Sequence, residues 1–241
     1  PILPAPEFQG RSGAGAYGDF VIQCDAVVGG IMKTLDELNI ADNTLLIYTS
    51  DNGAERIAYQ RALDTGHFSS GPLRGLKRDI WEGGHRIPFI ARWPGQVSAG
   101  GVCDQTICLT DFFATVAEIA EASPEPDTGE DSLSLFNALK GDPIEHASRE
   151  AIIHHSCSGR FAVRRGKWVL IDWPTGDDNG EPGWLKERRG YKAHSLPGEL
   201  YDLSADLMER ENLYAENPGL VKELQSLLYR YRSAGRSVNI Q

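Results

Sequence analysis

The stretch Leu45–Gly95 reads LLIYTSDNGAERIAYQRALDTGHFSSGPLRGLKRDIWEGGHRIPFIARWPG, and it decides how the rest is understood. It opens on an apolar run of strand type, Leu45 to Tyr48, which stops at Ser50-Asp51-Asn52-Gly53. Lys77 follows, preceded by Gly75-Leu76, and then come Glu82-Gly83-Gly84 and a second strand-like run, Ile87 to Trp93. Two hard oxygen donors at the end of a strand, followed by a cation, describe a metal-assisted anion site. Oxygen-only ligands suit Ca²⁺ or Mg²⁺ rather than zinc. The ends of strands in an open α/β sheet are also where ligands bind. Asp-Asn-Gly by itself is equally a good turn, and a single lysine is commonly a solvated charge. The ordered combination carries the reading.

Working outward, the 241 residues carry 24 Lys and Arg against 34 Asp and Glu, a formal net charge of −10. Such a surface repels phosphate backbones, which argues against a nucleic-acid partner. An anionic substrate must instead be drawn in by a local cationic site such as the Lys77 region. No apolar run approaches the roughly 20 residues of a membrane span. Four scattered cysteines and no Cys-x-x-Cys argue against a disulfide framework. Cys103 and Cys108 could pair across a short loop or stay reduced.

Apolar residues at Val21, Cys24, Val28, Ile31, Leu35 and Leu38 predict an amphipathic helix over Tyr17–Leu38, with Asp19 in its first turn. A strand over Thr44–Thr49 follows. Residues 54–80 read as a long polar connection, and ordered connections of that length are usually functional. Thr110 reads as the N-cap of a helix through Phe112, Val116 and Ile119, and Leu133 to Leu139 as a short helix ended by Gly141. Beyond about residue 150 the pattern changes to short strands at Ile152–His155, Phe161–Arg164, Lys167–Asp172 and Glu199–Leu203, with a hairpin at Arg165-Gly166. Residues 173–198 form a polar excursion, and Leu220–Arg232 is an amphipathic helix. Two parts are expected: residues 1–150, an α/β region with a mostly parallel sheet flanked by helices, and residues 151–241, a smaller antiparallel α+β subdomain whose sheet is covered on one face.

The strings SDNG, GPLRGLK and WEGGHRIPFIARWPG resemble the second half of type I sulfatases, the arylsulfatase-like branch of the alkaline phosphatase superfamily. PAPEFQGRSGAGAYGDFVIQCD near the start, and FAVRRGKWVLI and ELYDLSADLMERENL near the end, extend the resemblance over nearly the whole chain. The family's Cys/Ser-x-Pro-x-Arg motif, whose first residue becomes formylglycine, does not occur: Cys24, Cys103, Cys108 and Cys157 precede Asp-Ala-Val, Asp-Gln-Thr, Leu-Thr-Asp and Ser-Gly-Arg. The paired aspartates that open the family's metal site are also missing. The resemblance therefore implies the C-terminal part of a sulfatase, with an alkaline-phosphatase-like fold, inactive unless joined to its N-terminal half. It implies hydrolysis of aryl or carbohydrate sulfate esters by a formylglycine and calcium mechanism, in a periplasmic or secreted enzyme. Phosphonate or phosphate monoester hydrolysis is the alternative within the superfamily. A noncatalytic binding module with a metal-stabilised loop is the alternative outside it.

The resemblance assigns Asp51 and Asn52 to the metal and Lys77 to the sulfate oxygens, where an ammonium is a compact point charge with three donors. His67, in the loop between them, is a candidate proton donor or substrate contact. His154 and His155 are adjacent on a strand and point to opposite faces, which disfavours joint zinc binding and leaves His155 as a substrate-contact candidate. His85 reads as structural, and Glu82 as a partner of Arg86 or of the loop backbone. Arg74 and Arg78 read as structural or solvated.

Overall fold

The computed structural model describes residues 2–125, 127–141 and 149–238. Four strands, β3 (Ile152–His155), β4 (Phe161–Arg165), β5 (Trp168–Ile171) and β6 (Glu199–Asp202), form one antiparallel sheet in chain order. Gly166, at φ +56°, makes the tight turn that pairs Arg165 with Trp168. Strand alternation then sorts the side chains. Val163, Leu170 and Leu200 are cross-strand partners on one face. They pack with Val221, Leu224, Leu227 and Leu228 of α7 (Pro218–Ala234). That helix starts with proline in its first turn and ends at Gly235 in the left-handed region.

The opposite face carries Ala162, Val169, Ile171 and Tyr201, and it is covered by Ile80 and Trp81. This corrects the expectation of a sheet covered on one face only. The covering segment lies more than sixty positions earlier, beyond the reach of any local pattern. Trp81 also donates Nε1–H to the buried Glu199 carboxylate at 2.6 Å.

The earlier region holds α1 (Gly15–Glu37), β1 (Leu46–Thr49), α2 (Ala58–Thr65), α3 (Glu82–His85), β2 (Phe89–Arg92), α4 (Phe112–Ile119) and α5 (Phe136–Lys140). The α/β class and the small C-terminal antiparallel sheet match expectation; the parallel pairing does not. β1 and β2 are antiparallel, Leu46 opposite Arg92 and Thr49 opposite Phe89. Residues 50–88 leave β1 and return beside its end, and a chain that does not cross the sheet can only pair antiparallel. All of residues 50–88 therefore starts and finishes at one end of the strand pair.

Smaller differences have local causes. Helix α2 interrupts the expected polar connection, its Ala58 and Tyr59 buried with Leu76 and Leu185. The polar excursion likewise contains α6 (Gly183–Arg189), with Leu185 as its buried anchor. Both are too short for periodicity to register. Thr110 does not cap α4, because its hydroxyl donates to the Asp131 carbonyl while Asp111 accepts the Cys108 N–H at 2.8 Å. Asp19 lies beyond the first turn of α1, where it is buried and accepts the Gly10 and Ser12 N–H groups at 2.8 and 2.7 Å. All four cysteines are free thiols. The boundary expected near residue 150 adjoins residues 142–148, which lie outside the described residues.

Candidate functional site

Asp51 and Asn52 follow β1 with only Ser50 between, and two backbone bonds fix the chain after them. The Gly53 N–H donates to the Gly84 carbonyl at 3.0 Å, and the Lys77 N–H donates to the Ala54 carbonyl at 2.8 Å. Close approach explains the glycines here. A Cβ on Gly53 would sit 1.8 Å from the Gly83 oxygen, and one on Gly83 would sit 2.3 Å from the Gly75 oxygen. Three segments thus meet backbone against backbone, bringing Lys77 to the chain just past Asn52.

The turn carrying Lys77 is held from beneath. Asp79 accepts the Leu76 N–H at 2.8 Å through one oxygen, and the Asp178 and Asn179 N–H groups at 2.7 and 3.0 Å through the other. Burial pushes the Asp79 carboxyl up despite these bonds. Asn179 donates Nδ2–H to the Lys77 carbonyl at 2.7 Å, and Cys157 donates its N–H to the Arg78 carbonyl at 3.2 Å. Arg78 pays for this geometry with a φ of +87°. The Lys77 ammonium is 3.0 Å from Oε1 of Glu55, whose Oε2 accepts from Arg78 at 2.9 Å. Arg78, and Lys77 beside it, hold the Glu55 carboxyl down at about 2.

Arg74, read from sequence as structural or solvated, is a buried hub. Its guanidinium pairs with Glu181 at 2.9 Å, donates to the Glu209 carbonyl at 3.1 Å, and lies between the Trp81 and Tyr191 rings, 3.7 and 4.1 Å from their centroids. Glu82 accepts from both Arg86 and Arg164 at 3.2 Å, and its N–H donates to the fully buried Glu209 at 3.0 Å. Burial, with Glu82 adjacent, pushes the Glu209 carboxyl well up.

The histidines separate. His67 is exposed beyond the end of α2, its ring 5.7 Å from that of Tyr17. His155 packs on Phe161, with Nδ1 2.8 Å from the Ser156 carbonyl. His154 turns the other way and stacks on His85 at 4.0 Å, both Nε2 atoms sharing the Ile80 carbonyl. Burial lowers the pKa of both, which favours their neutral forms. No described contact joins His67 or His155 to Lys77.

The sulfatase family model matches residues 4–122. An N-acetylgalactosamine-6-O-sulfatase of Bacteroides thetaiotaomicron is 37% identical over 234 residues, 95% of this chain and 44% of the relative. The chain belongs to the sulfatase family. Human arylsulfatase A is 33% identical over 95% of this chain and 45% of its own length. A solved Bacteroides thetaiotaomicron structure from the metabolism of multiple glycosaminoglycans aligns with a TM-score of 0.80 at 36% identity, covering 97% of this chain and 48% of that one. A phosphonate monoester hydrolase of Agrobacterium radiobacter shares the fold alone, at a TM-score of 0.61 and 20% identity over 91% of this chain and 41% of that one. The chain spans less than half the length of these relatives.

For a sulfatase metal, the donor set fits in part. Asn52 spends its Nδ2 on the Gly53 carbonyl and keeps Oδ1 without a described donor, and Asp51 has only a 3.5 Å contact from Ser50. Two hard oxygens are thus available, whereas no group of three or more His, Cys, Asp or Glu gathers among the described residues. Sequence reasoning missed Glu55, Asp79, Asn179 and Glu181. Glu55 stands three places after Asn52 and could have been noticed for that. Asp79, Asn179 and Glu181 carried no signal, because the partners that tie the Lys77 turn to the C-terminal part lie about a hundred positions away.

Proposed function

We propose that this chain supplies the metal-pair and lysine side of a sulfatase active site that hydrolyses sulfate esters, carbohydrate sulfates foremost. The observation that carries the reading is the Lys77 N–H to Ala54 carbonyl bond, which sets a cation beside the chain just past two unspent oxygen donors. In this reading Asp51 and Asn52 contribute two oxygens to a Ca²⁺ shell, and the bound ion supplies charge neutralisation to the sulfate oxygens. Lys77 holds a sulfate oxygen with the ammonium protons that Glu55 leaves free, stabilising the charge that builds on the transferred group. His67 or His155 contacts the alcohol side of the ester. The formylglycine nucleophile and the remaining ligands come from the preceding half of the same protein. That half also covers the exposed apolar residues Phe20, Val21, Val27 and Ile31 of α1. Carbohydrate sulfate is preferred over aryl sulfate because the 37% identical relative is an N-acetylgalactosamine-6-O-sulfatase. A periplasmic or secreted location accompanies this reading; among the described residues no helix is long and apolar enough to cross a membrane.

The test is to assay the full-length, formylglycine-matured protein with calcium on 6-O-sulfated N-acetylgalactosamine, a chromogenic aryl sulfate and a phosphonate monoester. Sulfate release is expected, lost on Lys77→Ala or Asp51→Asn, and absent from the 241-residue chain alone. Turnover of the phosphonate only would transfer the site to that chemistry, and turnover by the chain alone would refute the shared-site reading.

A further inference from the structure

Lys77 does not stand alone: Glu55 bridges it to Arg78. The three side chains retain 36% (Lys77), 49% (Glu55) and 40% (Arg78) of their exposure, so a solute anion can reach them. Among the described residues Glu55 is the only side-chain partner of the Lys77 ammonium, so two of its three donors stay free. Glu55 also binds Arg78 through both oxygens, at 2.9 and 3.4 Å. It is therefore anchored to the rigid turn while reaching Lys77. Its carboxyl, held at about 2, is ionised throughout the working range of pH.

The charge of this cluster bears on chemistry that Lys77 alone does not address. A sulfate ester is a monoanion, and the inorganic sulfate released from it is a dianion. Lys77 and Arg78 without Glu55 carry two positive charges and match the product. With Glu55 the net charge is one, matching the ester. Coulomb attraction scales with the product of charges, so a fixed carboxylate weakens the dianion about twice as strongly as the monoanion.

We propose that Glu55 is the positioning residue of the anion site: it aims the Lys77 ammonium and, by its own charge, favours the sulfate ester over the sulfate product. This rests on the reading that Lys77 takes the sulfate group, and the experiment separates the two. Inorganic sulfate is titrated calorimetrically into the full-length protein, and its inhibition constant is measured against the ester. Glu55→Gln, which keeps shape and removes charge, is expected to bind sulfate about three- to tenfold more tightly, with a smaller fall in KM for the ester. Glu55→Asp, which restores the charge, returns sulfate affinity toward wild type. Lys77→Ala weakens sulfate binding in the same titration. A merely structural Glu55 would give weaker or unchanged sulfate binding in the Gln variant, and that result overturns the inference while Lys77→Ala still weakens it. Unchanged binding in Lys77→Ala overturns the site reading itself.

Discussion

The two sheets of this molecule are built from similar sequence and end in opposite environments. In the four-stranded sheet, Val163, Val169, Leu170 and Ile171 are completely buried, with α7 over one face and Ile80 and Trp81 over the other. In the two-stranded sheet, Tyr48 and Ile90 are opposite each other and keep 41% and 62% of their exposure. α1 and α4 beside it also present apolar residues outward, Val27, Ile31, Phe113 and Val116 among them. An apolar strand is a request for cover, and only the C-terminal sheet has both its faces answered within the described residues. The segment linking the two sheets is the candidate site: residues 50–88 begin and end on the open sheet, and Ile80 and Trp81 within them pack on the closed one. Rigidity borrowed from the closed side positions Lys77 next to the open side, where a further part of the protein is proposed to bring the nucleophile.

The sharpest way to break this comparison is to remove the joint itself. Arg74→Ala leaves Glu181 buried without its cation and strips a donor from the Glu209 carbonyl. A loss of about 3–5 kcal/mol is expected in urea unfolding. A loss below about 1 kcal/mol would mean that the two regions are not locked together there. Leu170→Ala, at the centre of the closed sheet, is expected to cost about 2–5 kcal/mol through the cavity it leaves, read from the same titration.

Glu209 sharpens the comparison through pH. Its carboxyl has a folded-state value well above the ordinary 4.5, because burial and neighbouring Glu82 disfavour the charge. A raised folded value means the folded state holds the proton more tightly. The associated stability is complete below about 4.5 and is lost as pH rises through the folded value. Glu209→Gln, which cannot ionise, should lose less stability than the native protein as pH rises above the ordinary 4.5. Parallel melting curves for the two across that range would show that the group is not desolvated. The smallest effect belongs to the open sheet: Ile90→Ala should cost about 0.5 kcal/mol or less in this chain. In the full-length protein the same change should cost more, about 1 kcal/mol or above if the face is covered. Equal costs in both would leave the proposed cover without support.

Much of the fold was legible because its causes are local. Short apolar and aromatic runs marked all four C-terminal strands, and the Arg165-Gly166 turn marked the hairpin between β4 and β5. The 3–4 spacing of Leu220, Leu224, Leu227 and Leu228 marked α7. The abrupt stop at Ser50-Asp51-Asn52-Gly53 located the oxygen donors at the end of β1. What stayed hidden depends on pairs distant along the chain. The antiparallel sense of β1 and β2 follows from where residues 50–88 return. That Arg74 is buried follows from Glu181, Glu209 and two aromatic rings brought from the C-terminal part. Glu55 joins Lys77 only because the Gly53, Gly83 and Gly75 backbones can touch. By itself the sequence determined the longer helices and the strands, the order of the chemical groups and the family, since periodicity and motif spacing are properties of neighbouring residues. Tertiary structure alone decided which strands pair, which charges are buried and which counter-charge stands beside Lys77, since those are set by close packing between segments that share no local pattern.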